Sequence, residues 1–337
     1  MRTNYPCLCH GEVDISIRDV GNGVLGAVCE FGDSFRHITG QSLHLDREVF
    51  QVGALIFHPF ASNGYSEGRK KTRVTFTPNV LPTLWILSIG VNQYDNKQIP
   101  PLNYADSDAT AIVEAFERQK GKLFREVNSL IISDHSNIKP TYDNISNNLN
   151  YLTTKAASND VVLLFVSGHS VNDAGGAYYF LPSDVAVDDD GSINLSRAIS
   201  GATLKSALNT ASKKLVFADT CHFEEIGYKK TGCADNDGFV RDLKDANTII
   251  FTSGKGREVS YESGKWKHGV FTYVIIKRME GHGIETEGIV NENLTVTITE
   301  LETYLSRKVA LFTNGAQHPI AHIPEGYVNF PVAEVEL

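Results

Sequence analysis

The chain has 337 residues, 42% of them hydrophobic and 21% charged, the make-up of a globular protein long enough for two domains. A formal net charge of −9, with no long run of Lys or Arg, argues against nucleic acid as the main partner. Five cysteines (Cys7, Cys9, Cys29, Cys221, Cys233) suit a reducing compartment better than a disulfide framework. No apolar run approaches the roughly 18 residues of a membrane span and no basic-then-apolar leader opens the sequence, so no membrane partner and a cytoplasmic location are expected.

Residues 1–80 read as a small all-β domain. In "VDISIRDVGNGVLGAV", Val13, Ile15 and Ile17 alternate with Asp14, Ser16 and Arg18, the period of a half-buried strand, before a turn at Gly21-Asn22-Gly23. "LHLD" (43–46), "GALIFHPF" (53–60) and "RVTFT" (73–77) read as further strands, with "SNGYSEG" (62–68) as a loop. The basic stretch "GRKKTR" (68–73) reads as a solvated linker in this acidic chain, and Pro78 and Pro82 mark the boundary.

Residues 81–337 form the second domain, where strands and helices alternate. "LWILSIGV" (84–91) is a continuous apolar run, as a strand covered on both faces should be. "ADSDATAIVEAFERQ" (105–119) follows, with Ala109, Ile112, Val113 and Phe116 at helical spacing. Strand 129–133, helix 141–156, strand 161–167, a short helix near 203–211, strands 214–219 and 247–253, and helix 269–280 come next. A last helix starts at Thr297, with Glu300 completing a capping box, and stops at Asn314-Gly315. The predicted class is α/β, a mostly parallel sheet with helices on both faces, preceded by a small all-β domain. In such sheets the chemistry lies beyond the C-terminal ends of the strands.

Two strands run into reactive side chains there. "VVLLFVSGHS" (161–170) delivers Ser167, Gly168 and His169, and "KLVFADTCH" (214–222) delivers Asp219, Thr220, Cys221 and His222. If the strands are parallel neighbours, His169 faces Cys221, and an imidazole beside a thiol can act as base and then protonate a leaving amine. Side chains two apart on a strand share a face, so Ser167 accompanies His169 and Asp219 accompanies Cys221. A hydroxyl and a carboxylate beside the scissile bond suit a cationic side chain, and Asp108 at the start of the first helix adds a second carboxylate. Against this stands the plain reading of a buried thiol and a structural histidine, each common on its own.

"SGHS" and "DTCH", with "LWILSIGVNQY", "NYADSDA", "AYYFLPSD" (177–184), "AISGATLKSAL" (198–208), "KHGVFTYVII" (267–276) and "QHPI" (317–320), closely resemble the bacterial caspase-like cysteine peptidases, relatives of metacaspases and orthocaspases. The resemblance runs over about residues 82–332, in the same order and spacing. It implies the caspase–haemoglobinase fold and peptide hydrolysis through a thioester, with His169 as the catalytic histidine and Cys221 as the nucleophile. It implies a basic-residue pocket from Asp108, Ser167 and Asp219, and an oxyanion hole from the N–H groups of Cys221 and a Gly168–Ser170 turn. The expected function is therefore a cysteine endopeptidase cleaving after Arg or Lys, acting on protein or peptide substrates. Specificity for Asp would need arginines lining the pocket, which the acids at 108 and 219 oppose.

This chain departs from the family's pattern at two places. Ser170 stands where the family has Gly, and a position needing positive φ would strain a serine. Phe223-Glu224 stands where Ser-Gly usually follows. These departures support the alternative, a catalytically idle caspase-like scaffold that serves as a binding module. The first domain resembles, more loosely, the immunoglobulin-like β-sandwich found upstream in such proteins, a candidate surface for a protein partner.

Other motifs carry less. "GNGVLG" (21–26) has dinucleotide-loop spacing but no helical stripe after it, and "CLCH" (7–10) lacks a second ligand pair for zinc. "VDDDG" (187–191) and "ADNDG" (234–238) lack calcium-loop acids at the required places and read as solvated turns. No metal site and no required cofactor is expected, although some metacaspases need calcium, which keeps calcium activation in view. Lys229 and Lys230, in the loop after the nucleophile, are candidate self-cleavage sites, as are the basic residues of 69–73. Cys233 reads as an incidental loop thiol.

Overall fold

The computed structural model divides the chain into two compact units, Met1–Val80 and Leu81–Leu337. Described are the backbones of strands within residues 14–51, and residues 81–335 except 210–212, 223–235, 245–246, 257 and 283–293; residues 221 and 222 are described by backbone alone. In the first unit, strands β1 (Asp14–Asp19), β2 (Leu25–Phe31) and β3 (Ser34–Ile38) pair antiparallel in that order. Strands β4 (Ser42–Leu45) and β5 (Glu48–Gln51) form a separate antiparallel pair. A strand, not a helix, follows "GNGVLG", so that motif has no dinucleotide-site context. The strands expected at 53–60 and 73–77, the 62–68 loop and the basic 68–73 stretch lie outside the described residues.

The second unit has the expected α/β architecture. β6 (Leu84–Gly90) leads to α1 (Ala105–Glu117), β7 (Val127–Ser133), α2 (Tyr142–Asn148), α3 (Asn150–Lys155) and β8 (Val161–Asn172). The short strands β9 (Tyr178–Phe180) and β10 (Ile199–Ser200) precede α4 (Gly201–Ser206), β11 (Lys213–His222), α5 (Asn236–Leu243) and β12 (Thr248–Thr252). A two-stranded hairpin, β13 (Glu262–Ser263) and β14 (His268–Gly269), then feeds α6 (Val270–Met279). β15 (Thr295–Thr297), α7 (Ile298–Phe312), β16 (Ile320–His322) and β17 (Pro331–Glu334) complete the chain. The expected capping box is present at the start of α7, with Thr297 and Glu300 each closing on the other's backbone.

Strands β7, β6, β8, β11 and β12 pair in parallel, with β16 antiparallel to β12 and β9–β10 antiparallel on the distal half of β8. The strands read as unbroken apolar runs because both faces are covered. On one face Leu163, Phe165, Leu215 and Phe217 pack against α1, α6 and α7 through Ile112, Phe116, Phe271 and Leu301. On the other, Val162, Leu164, Val166, Val216 and Ala218 pack against Ile145, Leu152, Leu204 and Phe239. The predicted helix 141–156 is two short helices, and α5, whose first residues lie within "ADNDG", replaces an expected solvated turn: Asn236 there is buried, and its amide donates to Gly254 O at 2.7 Å.

One close approach sets the position of α1. A Cβ on Gly90 would stand 2.2 Å from the Ala105 carbonyl oxygen, so glycine lets the first turn of α1 sit directly on the end of β6. At the centre of the α1–α6 layer, the Phe217 ring meets those of Phe251 at 5.4 Å and Phe116 at 6.4 Å. Phe217→Ala is expected to lose about 3–5 kcal/mol of stability by denaturant unfolding, because the cavity lies between the sheet and helices α1 and α6, which cannot close over it.

Candidate active site

Both reactive segments lie on longer strands than the sequence suggested. β8 continues past Ser167 to Asn172 and β11 past Asp219 to His222, because β9 pairs with 170–172 and the β8–β11 ladder runs to its last rung at Ser170. The expected Gly168–Ser170 turn is therefore continuous strand. The ladder sets Asp219 opposite Ser167 and Cys221 opposite His169. Neighbouring strands lie about 4.8 Å apart, so the histidine and the cysteine backbone are adjacent by construction. Ser167, His169 and Asp219 are all buried and continue the alternation phase of Phe165 and Phe217, the face that α1 and α6 cover.

His169 is held at three points. Its backbone N–H donates to Tyr94 Oη at 2.8 Å, its backbone oxygen accepts from Leu181 N at 3.0 Å, and its Nε2 lies 2.9 Å from the Pro100 carbonyl oxygen. A carbonyl can only accept, so Nε2 carries the proton and Nδ1 is the basic nitrogen. The Tyr94 ring also lies against the imidazole, with centroids 5.2 Å apart. Ser170 is not among the described residues with positive φ, so serine is unstrained there. The tight position is Gly168, where a Cβ would meet the Phe180 ring at 3.0 Å and Tyr94 Oη at 3.3 Å.

The two acids of the expected pocket converge on one glycine. A Cβ on Gly269 would lie 2.5 Å from Asp219 Oδ2 and 3.0 Å from Asp108 Oδ2. Asp108, on the first turns of α1, accepts Gly269 N at 3.0 Å and meets His268 Nδ1 at 2.7 Å. Asp219 accepts from the Ser260 hydroxyl and, on its other oxygen, from Thr272 Oγ1 at 2.6 Å and Thr272 N at 3.3 Å. Burial, and then the charge of Asp219, hold the Asp108 carboxyl well above the ordinary carboxylate range. Burial also raises Asp219, against the pull of its Ser260 and Thr272 donors. Among the described residues, neither acid is paired with Lys or Arg.

The hairpin returns the contact. The Glu262 carboxylate accepts Tyr104 N at 2.8 Å and Asn103 N at 3.0 Å, capping α1, whose own N-cap side chain makes no such bond. Gln317, fully buried, ties Tyr261 N to Ser253 O at 3.0 and 2.8 Å, behind Ser260. Tyr94, Pro100, Ser260, Glu262, His268 and Gln317 were not singled out by the sequence reading. Three of them stand inside quoted segments, "GVNQY", "KHGVFT" and "QHPI", while a backbone carbonyl such as that of Pro100 leaves no residue-type signal.

The "VDDDG" segment is a tight turn closed on itself, with a Val187–Ile193 bridge, Gly191 at φ +83° and Ser192 N donating to Asp190 at 3.0 Å. Among the described residues, no group of three or more His, Cys, Asp or Glu is placed to hold a metal ion. No described helix is long and apolar enough to cross a membrane. Lys229, Lys230, Cys233 and Phe223-Glu224 lie outside the described residues.

A family model described as the caspase domain matches residues 83–324. No curated protein matches the chain. Among solved structures, protein GSU0716 from Geobacter sulfurreducens is similar at 14% identity and a TM-score of 0.47, covering 73% of this chain and 95% of its own. Caspase-1 from Spodoptera frugiperda is similar at 12% identity and a TM-score of 0.44, covering 76% of this chain and 88% of its own.

Tyr94→Phe keeps the ring but removes the hydroxyl that accepts the buried His169 N–H at 2.8 Å. The expected loss is about 1–3 kcal/mol in urea unfolding, with an unchanged m-value as the sign that the fold is kept.

Proposed function

This chain belongs to the caspase-domain family, a family of cysteine peptidases, and from that membership we propose that it is a cysteine endopeptidase cleaving after Arg or Lys. The observation that carries the proposal is the ladder that sets Cys221 opposite His169. His169 Nδ1 takes the thiol proton as the Cys221 sulfur attacks the scissile carbonyl carbon. The tetrahedral intermediate collapses to a thioester as His169 returns the proton to the leaving amine, and water, deprotonated by the same nitrogen, then hydrolyses the thioester. Pro100 O keeps Nε2 protonated, which leaves the imidazole in the tautomer that both steps need. Backbone N–H groups of Cys221, Ser170 and Gly168 are assigned to the oxyanion.

Asp108, Ser167 and Asp219 are assigned to the pocket for the substrate side chain. Two buried acids with no Lys or Arg partner among the described residues favour a cationic occupant, which would supply the missing counter-charge. Specificity for Asp would place a third carboxylate beside these two. The idle-scaffold alternative leaned on Ser170 and Phe223; Ser170 occupies ordinary strand backbone, and Phe223 is outside the described residues. Calcium activation, self-cleavage at Lys229, Lys230 or within 69–73, and a partner bound through residues 1–80 complete the proposal.

Matched fluorogenic peptides ending in Arg, Lys or Asp, with and without calcium, test this reading. Cleavage after Arg and Lys, abolished in Cys221→Ala, is expected. Cleavage after Asp alone removes the pocket assignment, and equal turnover by Cys221→Ala removes the dyad. Asp219→Asn is expected to lower kcat/KM for the Arg peptide by the equivalent of about 2–5 kcal/mol, as for one removed partner of a buried charge pair.

A further inference from the structure

Among the described residues, the proposed pocket has one imidazole, a side chain that changes its charge near neutral pH. Asp219 is held by Ser260 and Thr272, neither of which titrates there. Asp108 is held by the Gly269 backbone and by an imidazole, His268, 2.7 Å away. His268 is carried on β14, its side chain 23% exposed where that of Asp108 is 2% exposed, so it links the buried acid to solvent.

We propose that His268 is a specificity-determining residue, sharing one proton with Asp108 and admitting a basic substrate side chain as that proton leaves. The inference rests on the basic-pocket reading above. With the shared proton present, the Asp108–His268 pair is neutral, and a guanidinium or ammonium meets Asp219 as its one nearby negative partner in the pocket. With the proton gone, the pair carries one negative charge beside the incoming cation. The balance is simple: one cationic side chain enters, and one proton passes through the imidazole to water. Binding of a basic residue and protonation of the pair therefore oppose each other by linkage.

The other charges around His268 do not replace this partner. α1 presents Asp108 and Glu114, α6 presents Lys277 and, at its C-cap, Glu280, while Asp219 of β11 and Glu262 of the hairpin act on Asp108. Lys277 and Glu280 pair with one another at 2.6 Å, which offsets their influence. Glu262 is occupied in capping α1. Burial and then Lys277 hold the imidazole below its ordinary value, which favours its neutral form.

The test compares wild type with His268→Asn, whose amide nitrogen can still donate to Asp108 but carries no titrating proton. KM and kcat for an Arg peptide are measured from about pH 5 to about pH 9, a range that spans an imidazole titration. In wild type, KM is expected to rise as pH falls, approaching about tenfold per unit where one proton is taken up. In His268→Asn the same limb should be flat to within about twofold, while the kcat profile, set by the dyad, keeps its shape. A KM profile in the variant that parallels wild type overturns the inference and leaves the basic-pocket reading standing. Cleavage by wild type after Asp and not after Arg removes both.

A second readout needs no turnover. In full-length Cys221→Ala, the His268 ring signal, identified by its loss in the added His268→Asn change, is titrated by NMR. Its midpoint should fall with N-acetyl-arginine amide present and stay in place with N-acetyl-norleucine amide. A midpoint unmoved by the arginine probe overturns the inference.

Discussion

The parallel register of β8 on β11 is the constraint on which the rest of the second unit depends. It starts at Lys213 opposite Val161 and ends at His222 opposite Ser170, so the candidate residues His169 and Cys221 are among the last rungs of a ladder whose earlier rungs are core. A one-residue slip would invert the faces, moving Phe217 and Asp219 to the α2–α5 side. The interior forbids it: Leu215 and Phe217 fit against α1 and α6, while Val216 and Ala218 fit against the other layer. The geometry of the candidate site is inherited from hydrophobic packing some 10–15 Å away along the same strands.

The second organising feature is electrostatic. Two carboxylates buried against the same glycine are costly in any protein interior. They are tolerated because each accepts donors from the segment around the β13–β14 hairpin, and the hairpin answers with Glu262 on the N-terminus of α1. The hairpin, α1, β11 and α6 are thereby tied through polar groups on one side of the sheet. Buried acids held by neutral donors in this way are what the proposed pocket for a cationic side chain would require.

Much of this was readable from residue pattern, and the failures have physical causes. The continuous runs at 84–91, 161–167 and 214–219 identified the parallel strands because burial on both faces demands apolar residues throughout. Both reactive strands were ended too early, since Ser, Gly, His, Asp and Thr look like loop chemistry until partners on β9 and β11 hold them in extended form. Asp108 was found from helical position and family resemblance. His268 was not, because it lies 160 positions away in sequence and only the hairpin brings it to that carboxyl. The Pro100 carbonyl was beyond sequence reading altogether: any residue at that position would present the same oxygen. α5 was missed because "NDG" carries turn chemistry, yet a buried Asn236 starts a helix there.

The central claim, a Cys221 nucleophile activated by His169 beside an acidic pocket, is tested most directly by covalent trapping. The full-length protein would be treated with peptidyl chloromethyl ketones ending in Arg or in Asp, digested, and the modified cysteine located by mass spectrometry. The account predicts a single adduct on Cys221, formed faster with the Arg reagent and lost when His169 is changed to Ala. An adduct on Cys7, Cys9, Cys29 or Cys233 in place of Cys221, or equal rates with the Asp reagent, would contradict it.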